Sequence, residues 1–204
     1  MKIIEPTVEL LTPINGAEVL KLIESCGRVC YRSEKNITAD SAPNFVRMLI
    51  KRGHESVLEH YSCTFKIVCD RGVMAEMTRH RLASFSVESS RYVDYSKELV
   101  FVKPPYFEEE YNVKWHLWEH NAAQAEYVYK TMREKGAPPE EARAVLPMSL
   151  ATTMIMTANL REWRHVLKLR TSSKAHPQMR QVAGLILNIF REKLPVVFED
   201  IGDD

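Results

Sequence analysis

The feature that most constrains the fold is a run of apolar residues near the C-terminus. Counting from Met179, apolar side chains recur at offsets of 3, 4, 7, 8 and 11 residues and end at Phe190. This spacing places all of them on one side of an α-helix. Because such a stripe must be buried against other apolar groups, the sequence predicts a long amphipathic helix packed on a core.

Similar spacing predicts helices in earlier parts of the chain. Gly53 and Gly136 each follow basic residues, which is typical of a helix end, and Pro138-Pro139 suits the first turn of a new helix. The predicted helices cover residues 17–26, 41–52, 71–81 and 115–135, a short segment from 139, and a longer one from 148 to about 170.

One segment has the alternation of a β-strand. Apolar residues occupy every second position from Cys63 to Cys69, which predicts a strand with one buried face. Further extended segments are predicted at 8–14, 91–95 and 99–102. Strands and helices do not alternate regularly, so a parallel Rossmann sheet is not expected. The prediction is an α+β fold: a small, mainly antiparallel sheet flanked by helices, with long C-terminal helices, in a single domain over residues 1–204.

Charge limits the ligands that this chain can recognise. It carries 28 Lys and Arg against 27 Asp and Glu, a net charge of +1, which argues against a broad nucleic-acid surface. Glycine-rich phosphate loops are absent, so a phosphate ligand would need a local cluster of arginines. No apolar run approaches the roughly 18 residues of a membrane span, and the first residues lack a signal peptide's apolar core. We therefore expect a cytoplasmic protein with no membrane or nucleic-acid partner.

The four cysteines do not form a Cys-x-x-Cys pair. We expect Cys26, Cys30, Cys63 and Cys69 to be buried small apolar side chains of a reducing compartment. The alternative, a metal site built on Cys26 and Cys30, lacks the usual ligand spacing, and no metal is predicted.

Residues 79–92 form the local cluster of arginines. In an extended backbone Arg79 and Arg81 would share a face, whereas at a helix end they would point about 200° apart. Guanidinium groups bind phosphate oxygens in pairs, and the serines that follow allow a ligand to approach closely. The simpler alternative is a solvated serine-rich loop after a helix whose basic end is favoured by its dipole.

The spacing of this cluster resembles the signature of flavin-dependent thymidylate synthases. The matching residues are Arg79-His80-Arg81, then Ser89, then Arg91-Tyr92. Residues 53–60, 142–147 and 157–170 resemble three further motifs of that family, in the same order. The resemblance covers roughly residues 50–190, and the first 50 residues match only loosely.

The resemblance implies an enzyme that converts dUMP to dTMP. Methylenetetrahydrofolate would supply the carbon, and reduced FAD, regenerated by NADPH, would supply the hydride. The family's α+β fold agrees with the fold predicted above. The resemblance also implies a homotetramer whose active sites are shared between subunits.

Site residues follow from the matched motifs. The residues implied for FAD are Ser56, Arg79, His80, Arg81, Asn159, Arg161 and His165. Those implied for dUMP are Glu76, Arg79, Glu88, Ser89, Ser90, Arg91, Arg143 and Arg170. Arg170 is the implied catalytic group, because its fixed positive charge favours the ionised N3 of uracil. Ser89 is implied in the active site as a positioning group rather than a nucleophile, since no base partner is evident.

Several of these residues have simpler interpretations. Arg143 can pair with Glu140, Asn159 can cap the helix that follows it, and His165 can be an ordinary helix residue. The sequence also departs from the family motif beside the residues implied for the substrate. Many members have Asn-Glu where this chain has Ser86-Val87, and here the acid follows one position later as Glu88.

Two rival functions remain open at this stage. The first is methyl or hydroxymethyl transfer to another pyrimidine nucleotide such as dCMP. The second is a non-enzymatic nucleotide- or RNA-binding module that uses the arginine cluster.

Overall fold

Helices make up 52% of the computed structural model, which combines them with a small antiparallel sheet, as the sequence predicts. The structure describes residues 1–107 and 112–202. Residues 108–111 and 203–204, which belong to the predicted single domain, lie outside the described residues.

The helices follow the predicted order along the chain. They are α1 (Gly16–Val29), α2 (Ser41–Lys51), α3 (Arg71–Met77), α4 (Val113–Glu134), α5 (Pro139–Ala142), α6 (Leu160–Arg170), α7 (Pro177–Lys193) and α8 (Pro195–Phe198). Short 3₁₀ turns occur at Glu34–Asn36, Glu55–His60 and Arg143–Val145. All six apolar residues of the stripe in α7 are buried, which confirms the prediction from their spacing.

Within the described residues the strands form two sheets. They are β1 (Lys2–Ile4), β2 (Thr7–Leu10), β3 (Ser62–Asp70), β4 (Ala83–Val87), β5 (Val100–Val102) and β6 (Ala151–Asn159). β1 pairs in parallel with β5, and the larger sheet has the order β2-β3-β6-β4. In β3 the alternate residues from Cys63 to Cys69 are fully buried, as predicted.

The predicted helix from 148 to 170 is wrong in its first half. Residues 151–159 form β6, and the helix α6 begins only at Leu160. Burial in β6 alternates strictly, with Thr152, Met154 and Met156 on the inner face. Apolar and small residues on both faces of the segment hid this two-residue period, although Thr and Ile are typical of strands.

The predicted extended segment 91–95 is also wrong. It is a turn in which the backbone N–H groups of Tyr92 and Val93 both donate to the carbonyl of Ser89, at 3.1 and 3.0 Å. The strand instead lies earlier, at Ala83–Val87. The helix α3 ends at Met77 rather than near 81, so His80 lies in the connection to that strand.

The chain divides into two compact units. The first unit comprises Met1–Thr7, Ile67–His80 and Phe85–Ile155, and the second comprises Val8–Lys66, Arg81–Ser84 and Met156–Asp204. In the first unit, a core cluster forms from Leu99, Phe101, Ala122, Tyr129, Ala142 and Leu150. In the second unit, four aromatic rings pack together: Phe65, Trp163, Phe190 and Phe198.

Within the described part of the chain, no helix has the length and apolar character needed to cross a membrane.

The cysteines only partly match the expectation that all are buried. Cys63 and Cys69 are fully buried, but Cys30 is exposed and Cys26 is half-buried. Burial raises the pKa of Cys63 to about 12, and that of Cys69 to about 12 with a contribution from neighbouring Asp70. Both buried thiols therefore stay protonated near neutral pH.

This difference predicts a split in thiol reactivity. In the native protein, Ellman's reagent should modify Cys26 and Cys30 readily, whereas Cys63 and Cys69 should react only after denaturant is added. A Cys30→Ser variant should lose one fast-reacting thiol, and Cys69→Ser should leave the fast phase unchanged. Four thiols reacting at one rate in the native protein would contradict the assigned burial.

Candidate functional site

A cleft of about 690 Å³ opens in the second unit. It is lined by Glu55, Glu59, Leu82, Asn159, Arg161, Glu162, Arg164, His165 and Lys168. Its volume lies within the range of about 300–1,000 Å³ that is typical of small-molecule and cofactor sites.

Helix α6 builds one wall of the cleft. Asn159 is its N-cap: the side-chain oxygen accepts the backbone N–H of Glu162 at 2.9 Å. This confirms the capping interpretation, yet within the described residues the side-chain NH₂ of Asn159 has no hydrogen-bond acceptor. Arg161, His165 and Lys168 follow at offsets of four and seven residues, so they share one helix face.

Two carboxylates, the exposed Glu59 and the half-buried Glu55, already pair with the cations at the mouth of the cleft. The Nη1 atom of Arg161 lies 2.5 Å from an oxygen of Glu59, and both side chains are about half exposed. The ammonium of Lys168 lies 3.9 Å from Glu55. Because water screens the exposed pair of Arg161 and Glu59, an anionic ligand can displace Glu59 from Arg161 at little cost.

A buried arginine supports the floor of the cleft. Arg164 is 1% exposed, and its guanidinium meets Glu55 at 3.2 Å and both oxygens of Asp200 at 2.6 and 2.7 Å. It also donates to the carbonyl of Val197. Hydrogen bonding to this guanidinium lowers the pKa of Asp200. The buried charge is thus fully compensated, as a buried ion must be.

Glu162 is the buried acid of the cleft. Burial raises the pKa of the Glu162 carboxyl group, and the electrostatic influence of nearby His165 opposes part of that rise. A carboxyl group of raised pKa inside a cleft is a common feature of functional sites.

The cleft gathers part of the predicted FAD set. Asn159, Arg161 and His165 all line it, and the exposed Ser56 lies on the 3₁₀ turn that contributes Glu55 and Glu59. Arg81 is exposed and adjacent in sequence to the lining residue Leu82.

Two further FAD candidates and the proposed catalytic arginine are not among the residues that line the cleft. Arg79 and His80 belong to the first unit, where Arg79 is exposed and His80 is buried. Arg170 is the last residue of α6 and is not part of the cleft lining.

The first unit carries most of the predicted dUMP set. Arg79, Arg91 and Arg143 are all exposed there. Arg91 lies 3.3 Å from Glu140, so Glu140 does not pair with Arg143 as the simpler interpretation proposed. Within residues 1–107 and 112–202, Arg79 and Arg143 make no ion pair.

Ser89, Ser90 and Arg91 lie together on the turn that follows β4. The hydroxyl of Ser89 accepts the backbone N–H of Arg91 at 3.3 Å. In the described structure no basic side chain contacts this hydroxyl, so it lacks the base that a serine nucleophile needs. Glu76 lies half-buried in the last turn of α3.

Glu88 makes a contact that the sequence did not reveal. Its carboxylate accepts the hydroxyl of Tyr95 at 2.6 Å, and that hydroxyl in turn accepts a guanidinium N–H of Arg71 at 3.1 Å. Burial, together with the bond to Glu88, raises the pKa of Tyr95 above its usual range. Glu88 and Tyr95 also line a small cavity of about 170 Å³ in the first unit.

Sequence reasoning missed several residues of the cleft. Glu55, Glu59, Glu162, Arg164 and Lys168 were not predicted. Lys168 was recoverable, since it lies at helical spacing from Arg161 and His165. The carboxylates and Arg164 carried no such signal, because their partners are distant in sequence.

Comparisons with known proteins agree with the motifs. A family model described as Thymidylate synthase complementing protein matches residues 11–196. The chain is 36% identical over 196 residues to the probable flavin-dependent thymidylate synthase of Mycobacterium phage L5, covering 90% of this chain and 81% of that relative. It is 34% identical over 213 residues to the flavin-dependent thymidylate synthase of Mycobacterium tuberculosis, covering 96% and 84%.

A solved structure is also similar. The UMP/dUMP methylase PolB from Streptomyces cacaoi, bound with 5-Br dUMP, matches with a TM-score of 0.77 and 26% identity. The match covers 98% of this chain and 96% of that one.

The ion pairs of Arg164 predict how stability depends on pH. Asp200→Asn should lower the free energy of unfolding by about 1–2 kcal/mol near pH 7, a value reduced for the partial exposure of Asp200. The folded-state pKa of Asp200 is lowered, so its contribution is present above the unfolded value of about 3.9 and is lost as the pH falls through the folded value. The free energies of unfolding of the wild type and the variant, measured by urea denaturation, should therefore become equal at acid pH.

Glu199→Gln is the matched control for this experiment. Glu199 precedes Asp200 and pairs with Arg47 on the exposed surface, so the variant should unfold like the wild type. An equal loss of unfolding free energy in both variants would contradict the role of the buried pair. A loss in Asp200→Asn that does not change with pH would contradict it as well.

Proposed function

We propose that this chain, which belongs to the family of flavin-dependent thymidylate synthases and is a methyltransferase, converts dUMP to dTMP. In this proposal methylenetetrahydrofolate is the carbon donor, FAD is the bound cofactor, and NADPH supplies the reducing equivalents. The observation that carries the proposal is the cleft of the second unit, where three residues matched to the family's FAD motif line one surface.

The residues of the cleft fit an anionic cofactor such as FAD. Arg161 and Lys168 provide positive charge at its mouth, and the NH₂ of Asn159 provides donors beside the N-terminus of α6. A helix N-terminus favours negative charge through its dipole. Arg161 would exchange Glu59 for a phosphate oxygen, and His165 would contact the cofactor from the next turn. When bound, the flavin would supply the redox chemistry, which no side chain of this protein can supply.

The exposed arginines of the first unit fit the phosphate of a nucleotide. Arg79, Arg91 and Arg143 remain charged at any working pH and can each offer paired N–H donors to phosphate oxygens. For Arg91 this requires release of the exposed pair with Glu140. Ser89 and Ser90 would add short hydroxyl donors from the same turn, and Glu76 would face the sugar or base.

Arg170 is proposed as the group that activates the pyrimidine. A guanidinium beside the uracil ring stabilises negative charge on N3 and the adjacent oxygens, and this makes the ring a better nucleophile. Because the guanidinium stays protonated, Arg170 would act by its charge rather than by proton transfer. The resemblance to the family is the support for this role, and also for a cytoplasmic homotetramer.

A second candidate concerns the sugar of the substrate. The structural neighbour from Streptomyces cacaoi is a methylase of UMP as well as dUMP. We therefore propose UMP as a second substrate of this chain, alongside the deoxyribonucleotide.

The proposed reaction makes a direct prediction. Purified protein should carry or take up FAD, with a flavin absorption spectrum, and should form dTMP from dUMP when methylenetetrahydrofolate and NADPH are added. Parallel reactions with UMP and dCMP test the base and sugar preference. Turnover confined to dCMP, or colourless protein that refuses added FAD, would overturn the proposal.

The role of Arg170 is tested by Arg170→Ala. Loss of its charge should lower turnover of dUMP by about 100-fold or more, the scale seen when one transition-state donor is removed. The dissociation constant for dUMP should rise by less, about tenfold at most. The control is Arg47→Ala, since Arg47 is an exposed arginine that pairs with Glu199, and wild-type turnover is expected for it. Wild-type turnover in Arg170→Ala would remove the proposed role.

A further inference from the structure

Glu88 and Tyr95 close a loop in the first unit. The carboxylate of Glu88 accepts the hydroxyl of Tyr95 at 2.6 Å across seven residues of chain. Both ends of the loop are also anchored through their backbones. The N–H of Glu88 donates to the carbonyl of Thr153 in β6 at 2.9 Å, and the N–H of Tyr95 donates to the hydroxyl of Tyr129 in α4 at 3.3 Å.

The loop between these ends carries the turn Ser89–Val93. Inside it, two backbone N–H groups share the carbonyl of Ser89, and the hydroxyl of Ser89 accepts the N–H of Arg91. Three of the residues proposed to bind the nucleotide, Ser89, Ser90 and Arg91, therefore lie on one turn whose ends are tied together.

Hydrogen bonds hold both ends, and the ring of Tyr95 also packs against the core cluster of the first unit. Glu88 and Tyr95 line the cavity of about 170 Å³, so empty space borders both side chains. On the side of this space Glu88 lacks packing contacts that would restrict its rotamer, so its hydrogen bond to Tyr95 orients it. The guanidinium of Arg71, which donates to the Tyr95 hydroxyl at 3.1 Å, fixes the direction in which that hydroxyl donates.

The position of the acid matters for this contact. Half-buried and exposed residues alternate along β4, which ends at Val87. The backbone N–H of Glu88 donates to the carbonyl of Thr153 in β6, so the backbone pairing of the two strands continues one residue beyond β4. An acid at 87 would project from the opposite face, because successive side chains in extended chain alternate. Only the acid at 88 is placed to reach Tyr95.

From these contacts we infer that Glu88 is a positioning residue, and not a ligand of the nucleotide. Its bond to Tyr95, oriented by Arg71, holds the turn Ser89–Val93 in the conformation that receives the substrate's phosphate. The inference rests on the proposed function, and it reassigns Glu88 from the substrate-binding set predicted from sequence. Fixing a loop before binding reduces the entropy lost on binding, so the effect falls on nucleotide affinity.

Tyr95→Phe separates this role from direct binding. It removes the hydroxyl but keeps the ring that packs edge-on against Tyr129, with centroids 6.0 Å apart. The loop role predicts that Tyr95→Phe and Glu88→Ala each raise the KM and dissociation constant for dUMP by about tenfold, the scale of one charged hydrogen bond. The kcat of Tyr95→Phe should stay within about twofold of wild type.

A double-mutant cycle completes the test. If the two residues act through one bond, the double variant should bind dUMP no more weakly than the weaker single variant. If Glu88 instead contacts the nucleotide, Tyr95→Phe should bind dUMP as the wild type does while Glu88→Ala loses affinity, and the inference is overturned. Tyr127→Phe is the matched control, since Tyr127 is 65% exposed on α4, and it should leave dUMP affinity unchanged.

Amide hydrogen exchange tests the closure of the loop without relying on enzyme activity. The amides of Tyr92 and Val93 should exchange faster in Tyr95→Phe than in wild type or in Tyr127→Phe, because the loop ends are released. Unchanged exchange would overturn the inference even if the enzyme is active. Faster exchange in a protein that binds no dUMP would support the loop closure and count against the proposed function alone. Melting temperature and the flavin spectrum report separately whether each variant is folded.

Discussion

Two long strands, each ending directly in a helix, underlie the arrangement of the candidate site. β3 ends at Asp70 and β6 at Asn159, and each of these residues caps the helix that starts at the next position. The side chain of Asp70 accepts the N–H of Val73 at 2.7 Å, and that of Asn159 accepts the N–H of Glu162 at 2.9 Å. Without a connecting loop, a buried strand fixes where its helix begins. This is why the polar face of α6 is rigidly placed along the cleft.

Charge compensation is the second constraint on the cleft. Arg164 lies on the buried side of α6, where an unpaired guanidinium would be very costly. Glu55, Asp200 and the carbonyl of Val197 together satisfy it, and they come from the 3₁₀ turn and the segment at and after α8. Arg161, on the exposed side of the same helix, pairs with the exposed acid Glu59. One helix therefore separates an arginine that maintains structure from one that is available to a ligand.

Local patterns predicted a large part of the fold and some of the site. The stripe of α7 and the alternation of β3 were readable because each repeats at the period of its own element. The strand β6 was missed because nearly every residue of it is apolar or small, so that the helical and extended periods fitted about equally well. Asn159, Arg161 and His165 were found through a family motif, and the structure places them in one cleft. Glu162 and Arg164 were not found, since their importance comes from burial and from partners far along the chain.

The sequence by itself determined the family, the mixed helical and sheet composition, and the arginine-rich motifs, because these depend on spacing within short segments. Only the tertiary structure decided which charges are already paired. Arg91 meets Glu140 across 49 positions, and Arg164 meets Glu55 across 109. It also decided that Glu88 bonds to Tyr95 across a closed turn. Hydrogen bonds and ion pairs act over a few ångströms, and folding alone sets which groups come within that distance.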